Sequence, residues 1–385
     1  MDYLRVLQDL ISIDTSVPPG NNYGKAVRYL EPLFREIGME TQLIEIPREH
    51  CGGLGGRVNL LAHRRNPGKP RLIFYSHVDV VPASGWPAFS PRVAEGKVFG
   101  RGAADMKGAI PALLHGLNDV RHSELACDVS VMVTTDEEVG QASQIQYLGQ
   151  FLQPLRGAYV HSLDSDFGYV SIANLGAIHM EIRVKGKSVH SALSHLGENA
   201  IEKANMVMNA LMALKEKVSR RESAVATHPA TGLKKMVARL NINMIKGGLK
   251  VNIVPDECVI AVDRRLIPEE DVDDAEKELM ETLTSVKGVN WEVASVVRIP
   301  TIPACDDPIT ERLSKVVQEV TGSSGRYGEM GSGDFGPIVA NEWKARLFGL
   351  GVIRTECNIH GKDEFVYQKD IEDLARVIAM FVTGG

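Results

Sequence analysis

The residues best suited to chemistry are two histidines and a set of carboxylates that follow apolar runs in this 385-residue chain. The run RLIFYSHVDVV (71–81) reads as a buried strand yet carries His77 and Asp79 two residues apart. Residues i and i+2 of a strand share a face, and burying both groups is costly unless each has a partner or a metal. Taken alone, the pair also fits a buried histidine hydrogen-bonded to an aspartate. Further along, GRGAADMKG places Asp105 at an expected helix start, and CDVSVMVTTD runs into TTDEEVG with Asp136, Glu137 and Glu138. GAYVHSL leads into LDSD with Asp164 and Asp166, and NIHGKDEF supplies His360. Two imidazoles with several carboxylates suit a divalent transition metal such as zinc, cobalt or manganese. An aspartate bridging two ions, with one carboxylate and one histidine beside each, makes a two-metal centre, which holds its ions about 3.5–4 Å apart and activates a shared water. Adjacent Glu137 and Glu138 invite a division of labour between ligand and general base. The simpler reading of DEE is a solvated acidic turn favoured by a helix dipole.

Active sites of open α/β sheets gather outside the carboxyl ends of the strands, so the elements matter. The pattern predicts a helix over 24–37 ending at Gly38, strands over 71–81, 127–136 and 157–163, and a helix over 105–120. Strands separated by helices favour a mostly parallel sheet. The character then changes: AIHMEIRVKG (177–186) alternates as a half-buried strand, a helix follows over 198–217, and KMVARLNINMIKG and ECVIAVDRRL read as strands before a charged helix over 269–286. The α/β pattern returns with a helix at 307–321, a strand at 345–351 and a final helix at 369–382. We expect an α/β catalytic domain (1–174 and 294–385) interrupted by a smaller α+β domain (175–293).

Bulk properties narrow the class. Hydrophobic residues make up 44% and charged residues 24%, enough for sizeable cores. The net charge of −6 gives no basic footprint for nucleic acid or an anionic membrane. Five scattered cysteines without C-x-x-C spacing read as free thiols in a reducing compartment. The amphipathic start lacks a signal-like core, and no apolar run reaches the length of a membrane span. A cytoplasmic protein is expected.

With these motifs in hand, the chain resembles the M20 metallopeptidases, a group that includes acetylornithine deacetylase, succinyl-diaminopimelate desuccinylase, glutamate carboxypeptidases and dipeptidases. SHVDVVP, GRGAADMKG, TTDEEVG, VKGKSVHSALSHLGENAI and NIHGKDEF occur in the family's order and approximate spacing, over nearly the whole chain. The resemblance implies a zinc-peptidase-like catalytic domain with a lid domain that forms a homodimer. It implies two divalent metal ions, zinc first and cobalt or manganese as alternatives. His77, Asp105 and Asp164 would hold one ion, and Asp105, Glu138 and His360 the other. Glu137 would be the general base, and Asp79 would orient His77 through its other ring N–H. A cis peptide bond after Asp105 is also implied.

In the lid, the family pattern makes His190 the donor to the developing oxyanion, where a plain surface histidine is the simpler reading. Asn252 and Arg265 match positions that grip the substrate carboxylate or the oxyanion, with Arg264 the competitor of Arg265. The loop MGSGDFG has G-x-G-x-x-G spacing, but a loop rather than an apolar strand precedes it. It reads instead as the family's substrate loop, with Gly331 and Ser332 facing a carboxylate. One departure stands out: the biosynthetic deacylases carry GEPT where this chain has HSLDSDFG, which leaves Asp166 as the alternative to Asp164. The expected activity is hydrolysis of the amide bond of a small N-acyl amino acid with a free carboxylate. A metallo-dipeptidase or carboxypeptidase is the alternative, and a catalytically silent metal-binding scaffold or a nucleotide-dependent oxidoreductase the readings from other classes.

Overall fold

The computed structural model describes residues 2–384. The chain divides into two compact units. The first comprises residues up to Ile172 together with Cys305–Tyr327 and the stretch from Asp334 onward; the second comprises Ala173–Ala304 with Gly328–Gly333.

The first unit is built on four parallel strands, side by side in the order Asp128–Thr134, Arg71–His77, Tyr159–Ser162 and Arg346–Gly349. Antiparallel Val58–Arg64 and Glu40–Glu45 extend one side, and Val170–Asn174 and Arg326–Glu329 complete an eight-stranded sheet on the other. Every residue of Arg71–His77 is buried, as expected of a strand covered on both faces. Helices Ala109–Asp119 and Gln368–Thr383 pack so closely that a Cβ on Gly116 would lie 2.4 Å from Ala375 O, so this position requires glycine.

The second unit carries a four-stranded antiparallel sheet in the order Arg239–Gly247, Glu257–Leu266, Gly176–Lys185 and Asn290–Ile299. Burial alternates along Glu257–Leu266, so Cys258, Ile260, Val262 and Leu266 face helices Ala200–Val218 and Val272–Ser285. Leu211, Leu214, Leu279 and Leu283 answer from the helices, each such side chain contributing about 1.5–3 kcal/mol by leaving water. Both helices start at side-chain caps: Asn199 accepts from Ile201 and Glu202 N–H, and Asp271 from Asp273 and Asp274 N–H.

Several elements differ from the sequence pattern. The strand from Arg71 ends at His77, so Asp79 lies beyond it. The helix expected from 105 starts at Ala109; Asp105 sits in the turn Ala103–Lys107 with φ −116° and ψ 94°, and the Asp105–Met106 bond is cis. Its N–H goes to the Glu364 carboxylate rather than into a helix. KMVARLNINMIKG is two strands, Lys235–Val237 and Arg239–Gly247, which pair with different partners. Asn290–Ile299 is a strand through the expected boundary at 293; its largely exposed edge position hid it. Arg326–Glu329 is a strand where a loop was expected, although only Gly328 in it is buried.

Candidate metal centre

The parallel strands deliver the site at their carboxyl ends. His77 is the last residue of its strand and pairs in register with Thr134, which leads into Asp136, Glu137 and Glu138. Tyr75 pairs with Ser162, two residues before Asp164. His77 and Asp79 are both fully buried. His77 Nδ1 lies 3.1 Å from Asp79 O and 3.3 Å from Asp79 Oδ1, both acceptors, so Nδ1 carries a proton and Nε2 is the nitrogen turned to the centre. Asp79 Oδ2 also accepts the Glu138 N–H at 3.0 Å, so one carboxylate steadies two neighbours of the centre.

Around His77 Nε2 stand Asp105 Oδ1 at 3.5 Å, Asp164 Oδ2 at 3.8 Å and Glu137 Oε2 at 4.0 Å. Across Asp105, its Oδ2 lies 3.1 Å from His360 Nε2, which is 3.2 Å from Glu138 Oε2. Two triads therefore share Asp105: His77, Asp105 and Asp164, and Asp105, Glu138 and His360, each with its donor atoms within 4.8 Å of one another. Asp166 belongs to neither and bonds instead to the Tyr169 hydroxyl.

The electrostatics fit cations. Burial disfavours the charged His77, yet Asp105 and Asp79 hold its pKa well above the usual value; Asp105 and Glu138 raise His360 to about 10. Burial works against the Asp105 carboxylate too, but the two imidazoles hold it well below the ordinary range. Burial pushes Glu137 up to about 7, with His77 opposing and Asp105, Glu138 and Asp79 adding to the rise. Asp105, Glu137, Glu138 and Asp164 thus outnumber two imidazoles. His77 Nε2 and Glu138 Oε1 are buried with no hydrogen-bond partner. Excess negative charge and orphaned donors are what divalent cations satisfy.

A buried network sets the turn that carries the two glutamates. Asp136 has φ 64° and accepts from Arg57 at 2.8 and 3.2 Å, from Tyr23 Oη at 2.8 Å and from Gln144 at 2.7 Å. Sequence reasoning missed Arg57 and Tyr23, and also Arg101, Lys107 and Glu364, although the last three lie inside the quoted motifs. Lys107 is fully buried and donates to Leu10 O and Ile13 O, both at 3.0 Å, tying the Asp105 turn to the end of helix Tyr3–Ile11.

The remaining sequence candidates belong to the second unit. His190 ends the two-residue strand Val189–His190, is exposed, and accepts from Ala192 N at 3.2 Å. Asn252 O accepts the Ser191 N–H at 3.0 Å, while its Oδ1 is buried without a partner. Arg265 Nε donates to Asp263 at 2.8 Å and Nη1 to Ser332 Oγ at 2.8 Å. Arg264 points to the opposite face, fully buried and paired with Glu270. Gly331 O accepts from Leu175 N at 3.0 Å. The glycine loop runs directly into the three-residue helix Phe335–Pro337 and not into a long helix whose N-terminus could cradle a phosphate.

Residues 73–384 match the model of peptidase family M20/M25/M40. The chain belongs to this family. A probable succinyl-diaminopimelate desuccinylase of Staphylococcus epidermidis is 24% identical over 350 residues, covering 85% of this chain and 81% of its own. An M20 family metallo-carboxypeptidase from Sulfolobus solfataricus superposes with a TM-score of 0.78 at 17% identity, covering 100% of this chain and 99% of its own. An aminopeptidase from Bacillus cereus gives 0.77 at 17% identity, with 99% and 97% covered. These structural likenesses establish the mixed α/β fold. The family membership makes this M20 chain a metal-dependent hydrolase of amide bonds. Among the described residues no helix is long and apolar enough to cross a membrane.

Proposed function

We propose that this M20 hydrolase cleaves the amide bond of a small N-acyl amino acid bearing a free carboxylate. His77, Asp105 and Asp164 would hold one divalent cation and Asp105, Glu138 and His360 a second, with zinc the first choice for both. The observation that carries the reading is the pair of donor triads sharing Asp105, with the Glu137 carboxylate beside them and part of neither. Such cations supply Lewis acidity to a substrate carbonyl and to water. Glu137 takes the proton from the attacking water and hands it to the leaving amine. Burial raises its pKa, the direction that suits a group taking up a proton, and cations in the triads would pull against that rise. Asp79 keeps the proton on His77 Nδ1 throughout.

We assign the oxyanion donor to His190 and the grip on the substrate carboxylate to Arg265, with Asn252, Ser332 and Gly331 assisting. Arg265 is supported by its fixed aim, with Asp263 and Ser332 holding two edges of the guanidinium. A homodimer through the second unit is supported by the open edge strand Arg239–Gly247, which exposes Met244 and Ile245, and by Met206 and Met212 on helix Ala200–Val218. Five free cysteines support a cytoplasmic setting.

The test is a hydrolysis screen with zinc, cobalt or manganese against N-acetyl, N-succinyl and dipeptide substrates. Release of an amino acid from an N-acyl substrate is expected. The aspartate at 164, in place of the deacylases' glutamate, keeps the dipeptidase reading as second, and turnover of dipeptides alone would select it. No turnover with any metal would sink both.

A further inference from the structure

Arg101 and Glu364 lie outside both donor triads, yet they lock together the two loops that carry Asp105 and His360. The Glu364 carboxylate is buried and accepts the N–H groups of Gly102 at 3.0 Å, Ala104 at 3.0 Å and Asp105 at 3.2 Å, together with Arg101 Nη1 at 2.6 Å. Arg101 returns the grip: its Nη2 donates to His360 O at 3.0 Å and Gly361 O at 3.1 Å. Each loop therefore holds the other's backbone through one charged side chain. Gly102 has φ 80° in a left-handed turn, so the N–H groups that converge on Glu364 come from a bend made for them. His360 is itself left-handed, with φ 62°, a backbone state that is uncommon for a non-glycine residue and needs outside support. Arg101 supplies it at the His360 carbonyl.

The other triad is anchored differently. His77 closes a fully buried strand, and Asp164 follows the neighbouring strand Tyr159–Ser162. The side-chain hydrogen bonds of Arg101 and Glu364 all stay within residues 101–105 and 360–364.

We propose that Arg101 and Glu364 are a positioning pair that sets where His360 meets Asp105. They thereby act most on the ion of the Asp105, Glu138 and His360 triad, where they hold the backbone of both Asp105 and His360, and less on the ion of the His77, Asp105 and Asp164 triad, where they reach only the shared Asp105. The inference rests on the two-ion reading above and goes beyond it by making the two sites depend unequally on this pair. A planar guanidinium suits this task, because two separate nitrogens serve it, Nη1 on the carboxylate and Nη2 on the two carbonyls, a spread that the single nitrogen of a lysine lacks.

The experiment is a cobalt(II) titration of the full chain followed by visible absorption and calorimetry. Wild type is compared with Glu364→Gln and Arg101→Lys, and His77→Ala and His360→Ala mark which ion belongs to which triad. Wild type should bind two ions per chain. Glu364→Gln should bind the ion that His360→Ala loses at least about tenfold more weakly, and the ion that His77→Ala loses more weakly by a smaller factor. Arg101→Lys should move the same way by less, and it decides the matter if Glu364→Gln does not fold. Two ions bound at wild-type affinity in these variants, equal weakening of both ions, or loss of the ion that His77→Ala loses would each overturn the proposal. Fewer than two ions in wild type would overturn the two-ion reading itself, a failure visible before any variant is compared.

Discussion

His77 and His190 are the two imidazoles to which the proposed chemistry gives different work, and they are held in opposite ways. His77 closes a wholly buried strand, with its Nδ1 fixed by Asp79 and its own surface closed to water. His190 sits exposed on a two-residue strand, with one hydrogen bond from a neighbour two residues on. The same contrast runs through the two units. Asp105 and Glu138 each give a backbone N–H to a buried carboxylate, Glu364 and Asp79 respectively, and Glu137 follows the buried Asp136, whereas the second unit's candidates lie on exposed or half-exposed strand and loop positions. A centre that must hold cations against the cost of burying several carboxylates needs pre-set donors. Groups that meet a substrate need access.

The largest expected effect breaks the first unit's chemistry without touching its frame. Glu137→Gln keeps the shape of the side chain and leaves both triads whole, so metal content measured by atomic emission should stay near that of the wild type. Turnover should fall about a thousandfold. Retention of most activity would remove Glu137 from the base role.

The next effect falls on the second unit. His190→Ala should lower kcat about a hundredfold if this imidazole stabilises the oxyanion, while the unfolding midpoint in urea should scarcely move, because an exposed side chain with one local hydrogen bond contributes under about 0.5 kcal/mol. A large stability loss would mean that His190 is part of the framework, and the contrast with His77 would collapse.

That contrast was partly legible in the sequence. The apolar runs that form the parallel strands mark themselves, and the carboxylates following them gather at one edge because parallel strands all end there. What periodicity could not show was pairing over long separations. Arg101 and Glu364 are 263 residues apart, and Arg57 and Asp136 are 79 apart; nothing local predicts either pair. For the same reason Asp105 read as a helix start, since the carboxylate that claims its N–H lies near the other end of the chain. His77 and Asp79 do meet, with Nδ1 3.3 Å from Oδ1, although the regular strand stops at His77 and Asp79 lies two residues beyond its end. On the surface, Asn290–Ile299 escaped notice because an edge strand buried on neither side has no clear apolar alternation.

Asp136→Asn probes the frame of the first unit directly. The amide tolerates the left-handed backbone but leaves the buried Arg57 without its counter-charge, in a pair whose side chains are each only 4% exposed. A stability loss of about 3 kcal/mol is expected. Activity of the folded fraction should fall about tenfold as the Glu137–Glu138 turn loses its anchor. If activity fell with no loss of stability, the network around Asp136 would be a functional device alone.

The smallest effect separates the units by their response to acid. Buried imidazoles belong to the first unit, and His161 is the clearest of them: it stands among Phe74, Phe348 and Phe381, its Nε2 donating to Leu350 O at 3.1 Å. Burial lowers its pKa to about 4, with the Leu350 carbonyl opposing. The ordinary value is 6.5. Above about 6.5 the imidazole is neutral in both folded and unfolded chains, and the stability it contributes is fully present. As the pH falls from there towards and through 4, the unfolded chain takes up a proton that the folded chain refuses, so stability drops by up to about 1.4 kcal/mol per pH unit. His161→Phe removes that proton. It also leaves Leu350 O without its donor, at a cost of about 1 kcal/mol that does not change with pH. Urea unfolding at pH 7, 6 and 5 should therefore show the variant slightly weaker at pH 7 and gaining on the wild type at each step down. Metal loss in acid affects both proteins alike and cancels in the difference. Parallel pH profiles would mean that His161 takes up its proton within the fold, and that the acid sensitivity of the first unit lies in its carboxylates instead.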